Sequence, residues 1–249
     1  MKLLLGILIA FSGIGIILVI RSITTLLHEI GHAIPALMYT DEDVRILLGT
    51  YNYDETWSFT IGRLTIHYKF NLFHWRQGLC SHSRSARWQE EAWITAGGPL
   101  MSFLVVWVSI GMIMYLRTDA AYYFFSILAL SSIIDLVLNM RRESIFLDDA
   151  SFDVLHTDGF QLHKQFQLKD SYFDYLDIKA FCAQGKWALA KEKASSFLKE
   201  HPDNMELLVD FFTAAKNEED YHFLLDQINN SSQYIDSNPL ICSLFLSFT

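Results

Sequence analysis

Two histidines four residues apart, with a glutamate after the first, are the residues of this chain best suited to chemistry: His28-Glu29-Ile30-Gly31-His32. On a helix, a spacing of four places both imidazoles on one face, where each can offer a nitrogen to one Zn2+. Glu29 stands beside them and can take a proton from a water that zinc has made acidic near neutral pH. In a chain with nine histidines the motif arises by chance in roughly one sequence in a hundred, so its surroundings decide its weight. Those surroundings are apolar. Two imidazoles and a carboxyl in such a stretch are expensive unless they pair or bind something, which argues against a mere pair of core histidines.

The third ligand is less plain. The extended soluble pattern with a third histidine fails, because Pro35 and Met38 occupy its Gly and His positions. Glu55 is the nearest glutamate at the distance a thermolysin-like site needs, but it falls in a segment that reads as β. Asp158, in Thr157-Asp158-Gly159-Phe160, could reach the metal only through tertiary folding; Asp148, Asp149, Asp153 and His156 compete for the same place. His74, Cys80 and His82 fit no standard zinc spacing, and Cys80, Cys182 and Cys242 imply no disulfide framework.

The elements that must position these residues follow from hydropathy. Residues 3–39 are almost continuously apolar, too long for one perpendicular span of about 20 residues. They predict either one long helix or two pieces kinked at Ser12–Gly15, retained rather than cleaved as a signal peptide. Residues 42–75 alternate polar and apolar and predict two to four short strands, with turns near Asn52–Asp54 and Gly62. Residues 76–91 read as a polar loop. Residues 92–116 and 120–140 are two further spans around a short turn. The fold class expected is mainly α: a polytopic membrane core of three or four spans, a small β segment and a soluble helical domain.

Charge marks the domains. Residues 1–147 hold all nine arginines and are neutral, whereas residues 148–249 hold the whole net charge of −9. An acidic tail excludes nucleic acid as a partner. The expected division is a membrane-embedded core over 1–165 and an acidic, cytoplasmic helical domain over 166–249. Gly185, Trp187, Ala190, Pro202 and Asn204 are spaced as in the second half of a tetratricopeptide repeat, which that region resembles; an ordinary helical hairpin, with a degenerate second one over 205–230, fits as well. Lysine and arginine positions put the β segment and the tail in the cytoplasm and the turn at Arg117 outside. A multi-pass protein of a bacterial plasma membrane is the expected setting.

The order of motifs resembles the site-2-protease family of intramembrane zinc metalloproteases. HEIGH in an apolar helix is followed by a β segment, by Ala96-Gly97-Gly98-Pro99 opening a span, and by Asn139 and an Asp-Gly pair, over roughly residues 15–165. The resemblance implies Zn2+ as cofactor, His28, His32 and Asp158 as its ligands, and Glu29 as general base. It further implies a contact of Asn139 with substrate or transition state, a structural role for Gly98 and Pro99, and a β segment presenting a membrane-embedded protein substrate edge-on. Ser102 stands where the family often has Asn, and nineteen positions without a proline separate Asn139 from Asp158. Two other readings remain open: a membrane scaffold whose repeat-like tail binds a protein partner beside a vestigial zinc site, and a secreted soluble zinc hydrolase. The two later spans disfavour the last.

Overall fold

The computed structural model describes residues 2–49, 56–69, 78–141, 144–146, 154–201, 204 and 207. Of the residues weighed above, Glu55, His74, Asp148, Asp149, Asp153, Pro202 and Cys242 lie outside these, as do the turn at 52–54 and nearly all of 205–230. The chain forms two compact units, residues 1–169 and 170–249. The fold is mainly α with a small sheet, and three helices are long and apolar enough to cross a membrane.

Helix α1 (Lys2–Tyr39) is continuous, so the first apolar run is one long helix rather than two pieces, and Pro35 is accommodated inside it. Helices α2 (Trp88–Leu116) and α3 (Asp119–Asn139) follow the sheet. Between them Arg117 adopts a left-handed conformation, and the Thr118 hydroxyl caps α3 by accepting from the Ala121 amide at 3.3 Å. At the start of α2, the Glu90 carboxylate accepts from the Arg87 amide. Large apolar side chains such as Phe103, Trp107, Ile133 and Val137 stay exposed, as helices facing lipid require.

Helices α1 and α2 meet where neither has a side chain. A Cβ on Gly97 would lie 2.1 Å from the Gly31 carbonyl oxygen, and one on Gly31 would lie 2.4 Å from that of Gly97. Backbones can approach this closely only across glycine, the packing mode that joins helices where no hydrophobic effect drives them together. Gly31 is the fourth residue of HEIGH, so the contact sets α2 directly against the metal motif.

Four strands form one sheet in the order β2-β3-β1-β4: β1 (Val44–Leu48), β2 (Trp57–Ile61), β3 (Leu64–Tyr68) and β4 (Gly78–Ser81). β2 and β3 form a hairpin around Gly62, β1 runs parallel to β3, and β4 pairs antiparallel with β1. β4 corrects the loop expected over 76–91. Gly-Leu-Cys-Ser has no alternating pattern and becomes a strand because β1 supplies partners for its backbone. Val44, Ile46 and Leu48 pack with Ala33 and Ala36 of α1 and Ile94 of α2 into a buried core. Arg63 locks the sheet to the helix end, donating to the carbonyls of Thr40 (2.6 Å) and Leu37, among the last acceptors of α1.

After α3, β5 (Ser144–Phe146) pairs with β6 (Val154–His156) and leads into α4 (Asp158–Leu168). The Thr157 hydroxyl donates to the Arg141 carbonyl and lies 3.4 Å from the Phe160 amide, as an N-cap does. Buried Gln165 donates to Thr95 Oγ1 at 2.9 Å, and Phe166 packs edge-on against Trp88. Helix α4 crosses the boundary expected at 165 and belongs to the first unit. In the second unit α5 (Tyr172–Ala183) and α6 (Trp187–Glu200) form a hairpin turning at Gly185, with Tyr175, Ile178, Ala190 and Phe197 buried.

Candidate metal centre

The two histidines of α1 share one face, as their spacing demands, and both are buried. Their Nε2 atoms stand 3.3 Å apart. Asp158, the first residue of α4, closes the group: Oδ2 lies 3.1 Å from His28 Nε2 and Oδ1 3.4 Å from His32 Nε2. Atoms bound at about 2.1 Å to one tetrahedral ion stand about 3.4 Å apart, so these three separations match the edges of a tetrahedral metal site. Among the described residues, His28, His32 and Asp158 are the group able to hold a metal ion.

The far side of each ring fixes its orientation. His32 Nδ1 is 2.8 Å from the Ile94 carbonyl oxygen. A carbonyl can only accept, so Nδ1 carries a proton and Nε2 is the nitrogen left to offer a lone pair to a metal beside His28 and Asp158. His28 Nδ1 is 2.9 Å from Ser102 Oγ. Such outer partners hold metal-binding imidazoles in one tautomer and plane. Burial works against charge on Asp158, but the adjoining imidazoles of His32 and His28 hold its carboxyl well below the usual carboxylate range.

Space for an ion is provided by glycine. A Cβ on Gly98 would lie 2.2 Å from His32 Nε2 and 2.7 Å from His28 Nε2, so any side chain there would occupy the point on which the nitrogens converge. Two imidazoles each held at its far nitrogen, a carboxylate and this cradle fit a divalent metal with nitrogen and oxygen preference. Pro99, next in the helix, is buried.

Glu29 is buried beside the ligands, with its carboxyl against β4: a Cβ on Gly78 would lie 2.5 Å from Oε1. Cys80, two residues on in the same strand, is half-buried, and desolvation pushes its thiol up, an effect that Glu29 and Asp158 reinforce. The Asn139 amide nitrogen, at the end of α3, lies 3.1 Å from His28 Nε2. The residues singled out in the sequence are therefore brought together: His28, Glu29, His32, Asn139 and Asp158 line one site, with Gly98 beneath it. His156 is not part of it and stacks on Phe160. His82 turns to Glu91, 3.8 Å away. Sequence reading passed over Ile94, which acts through its backbone and leaves no side-chain signal. It also passed over Gly78, and it registered Ser102 only as a departure from a pattern.

Compared with family models, with curated proteins and with solved structures, the chain gives no match.

Proposed function

We propose that the protein is an intramembrane zinc metalloprotease, similar in its chemistry to the site-2-protease family, that hydrolyses peptide bonds of membrane-embedded proteins. The observation that carries this reading is the three-atom group of His28, His32 and Asp158 with a buried glutamate beside it on a helix long and apolar enough to span a membrane. A metal site that served structure alone would have no use for Glu29.

Bound zinc supplies Lewis acidity, which activates water and polarises a carbonyl near neutral pH. Glu29 takes the proton of the attacking water and returns it to the leaving amine. Asn139 donates its amide N–H to the scissile carbonyl oxygen as charge develops there. Ser102 and the Ile94 carbonyl keep the imidazoles aimed. Peptide hydrolysis needs an extended substrate, because a helix hides its amides. Among the described residues β4 is one of the two edge strands of its sheet, and it passes against Glu29, so a substrate strand added to that edge would run past the base. The setting is a bacterial plasma membrane, with the β segment and the acidic helical unit on the cytoplasmic side and the latter binding a protein partner.

The test is Glu29→Gln. The variant keeps about one zinc per chain, as a three-ligand site should. Cleavage of co-expressed single-span membrane proteins falls by at least about a hundredfold, the scale of a positioned general base. Full cellular function of this variant would overturn the reading in favour of a membrane scaffold with an idle site.

A further inference from the structure

Helices α1 and α3 are joined by three polar rungs, two of which do no chemistry in the scheme above. Arg21 donates to the Ser131 carbonyl at 3.3 Å and forms an ion pair with Asp135. The hydroxyls of Thr24 and Ser131 are 2.8 Å apart. The last rung is Asn139 against His28. On α3 the three residues recur every four positions, and on α1 the rungs lead up the polypeptide to the first metal ligand. Asp135 is only 4% exposed.

Packing alone does not account for an ion pair here between buried Asp135 and half-buried Arg21. Apolar residues of similar size would be as stable or more so, and a charge in the span is unfavourable unless paired. What the pair adds is register. The outer face of α3, with Ile133, Ile134, Val137 and Leu138 exposed, carries no group that would fix its position along α1. A slip of one turn would leave Arg21 and Asp135 unpaired in the apolar layer. The end of α3 matters to the site twice: it carries Asn139, and it supports α4, whose Thr157 hydroxyl donates to the Arg141 carbonyl and whose Gly159 lies so close that a Cβ would meet the Met140 carbonyl oxygen at 2.3 Å.

We propose that Asp135, paired with Arg21, is a positioning residue that sets the register of α3 against α1 and so holds Asn139, and through the end of α3 also Asp158, at the facing nitrogens of His28 and His32. Its consequence for turnover rests on the protease reading; its consequence for register does not.

The experiment follows both. With Cys80, Cys182 and Cys242 replaced by Ala, the pair Thr24→Cys and Ser131→Cys forms a disulfide on mild oxidation of the full chain in membranes. Adding Asp135→Asn or Arg21→Gln slows that disulfide at least fivefold. In the native-cysteine protein each single change lowers kcat for a cleaved membrane protein at least tenfold with little change in KM, and the exchanged pair Arg21→Asp with Asp135→Arg, or Asp135→Glu if the exchange does not fold, recovers most of it. Combining Asp135→Asn with Asn139→Ala costs little beyond either change alone, because both act through one group. An undiminished disulfide rate in Asp135→Asn overturns the proposal, as does full cleavage despite a lost cross-link. A wild-type protein that cleaves nothing counts against the protease reading, and the disulfide rates still decide the register.

Discussion

Gly78 of β4 lies against the carboxyl of Glu29 so closely that a Cβ would stand 2.5 Å from Oε1, 2.7 Å from Cγ and 2.8 Å from Cδ. An edge strand and the glutamate between the two metal-site histidines thus share one narrow space, and the absence of a side chain at position 78 is what allows it. The contact also reaches beyond the tip of the glutamate to its stem, so a rotation of the carboxylate alone would not relieve it.

Gly78→Ala should therefore disturb the base and leave the ligands alone. Metal content should stay at the wild-type level, since Gly78 touches neither histidine nor Asp158 among its nearest atoms. Cleavage should fall at least tenfold, as a misplaced general base loses much of a contribution of about 10²–10⁴. Zinc analysis beside a cleavage assay separates the two; loss of zinc in this variant would show that β4 supports the ligands instead.

Gly98→Ala should do the reverse. Its Cβ would press on both Nε2 atoms, and the rings cannot turn away because Ser102 and the Ile94 carbonyl hold their other nitrogens. Alanine is favoured over glycine in a helix interior by about 1 kcal/mol, so helix propensity cannot explain a defect. Zinc content should drop to near zero with the helix intact. Gly111→Ala, on the same helix with nothing within 4 Å of its Cβ, is the control and should bind zinc normally. Equal zinc in both variants would remove the cradle.

Ser102→Ala tests the support behind His28. Losing an outer-shell partner of a ligating histidine typically weakens metal affinity or activity about 10–100-fold. A competition titration with a chelator should place the variant in that range, with Ser102→Thr closer to wild type. An unchanged affinity would mean that the 2.9 Å contact does not orient the ring.

How far the sequence foretold this site depends on how local each interaction is. His28, Glu29 and His32 are three positions on two turns of one helix, and their geometry follows from helical periodicity alone. Asp158 and Asn139 arrive from other elements, and their order in the chain suggested them without fixing their place. β4 could not be read from Gly-Leu-Cys-Ser, because its strand character comes from pairing with β1. Nor could the pairing of Arg21 with Asp135 be read, since it depends on how α3 is set against α1. The hydrophobic runs, by contrast, announced the three long helices within a few residues at each end.

The last prediction concerns orientation. In sequence, Arg45, Arg63, Lys69, Arg76, Arg84 and Arg87 fall between α1 and α2, and Arg141 and Arg142 follow α3, whereas the turn from α2 to α3 carries Arg117 alone. Positive charge near span ends marks the cytoplasmic side. Ser83 should thus face the cytoplasm and Asp119 the outside. The metal centre would then lie on the cytoplasmic half of the membrane, since Gly98 and Ser102 are ten and fourteen residues into α2, about 15 and 21 Å along its axis. Single cysteines at positions 83 and 119 in a cysteine-free background, labelled in sealed vesicles of each orientation, report this directly. Position 83 should react only from the cytoplasmic side and position 119 only from the other. Reaction of position 119 from the cytoplasm alone would reverse the topology and put the sheet, with its edge strand over Glu29, on the outer face.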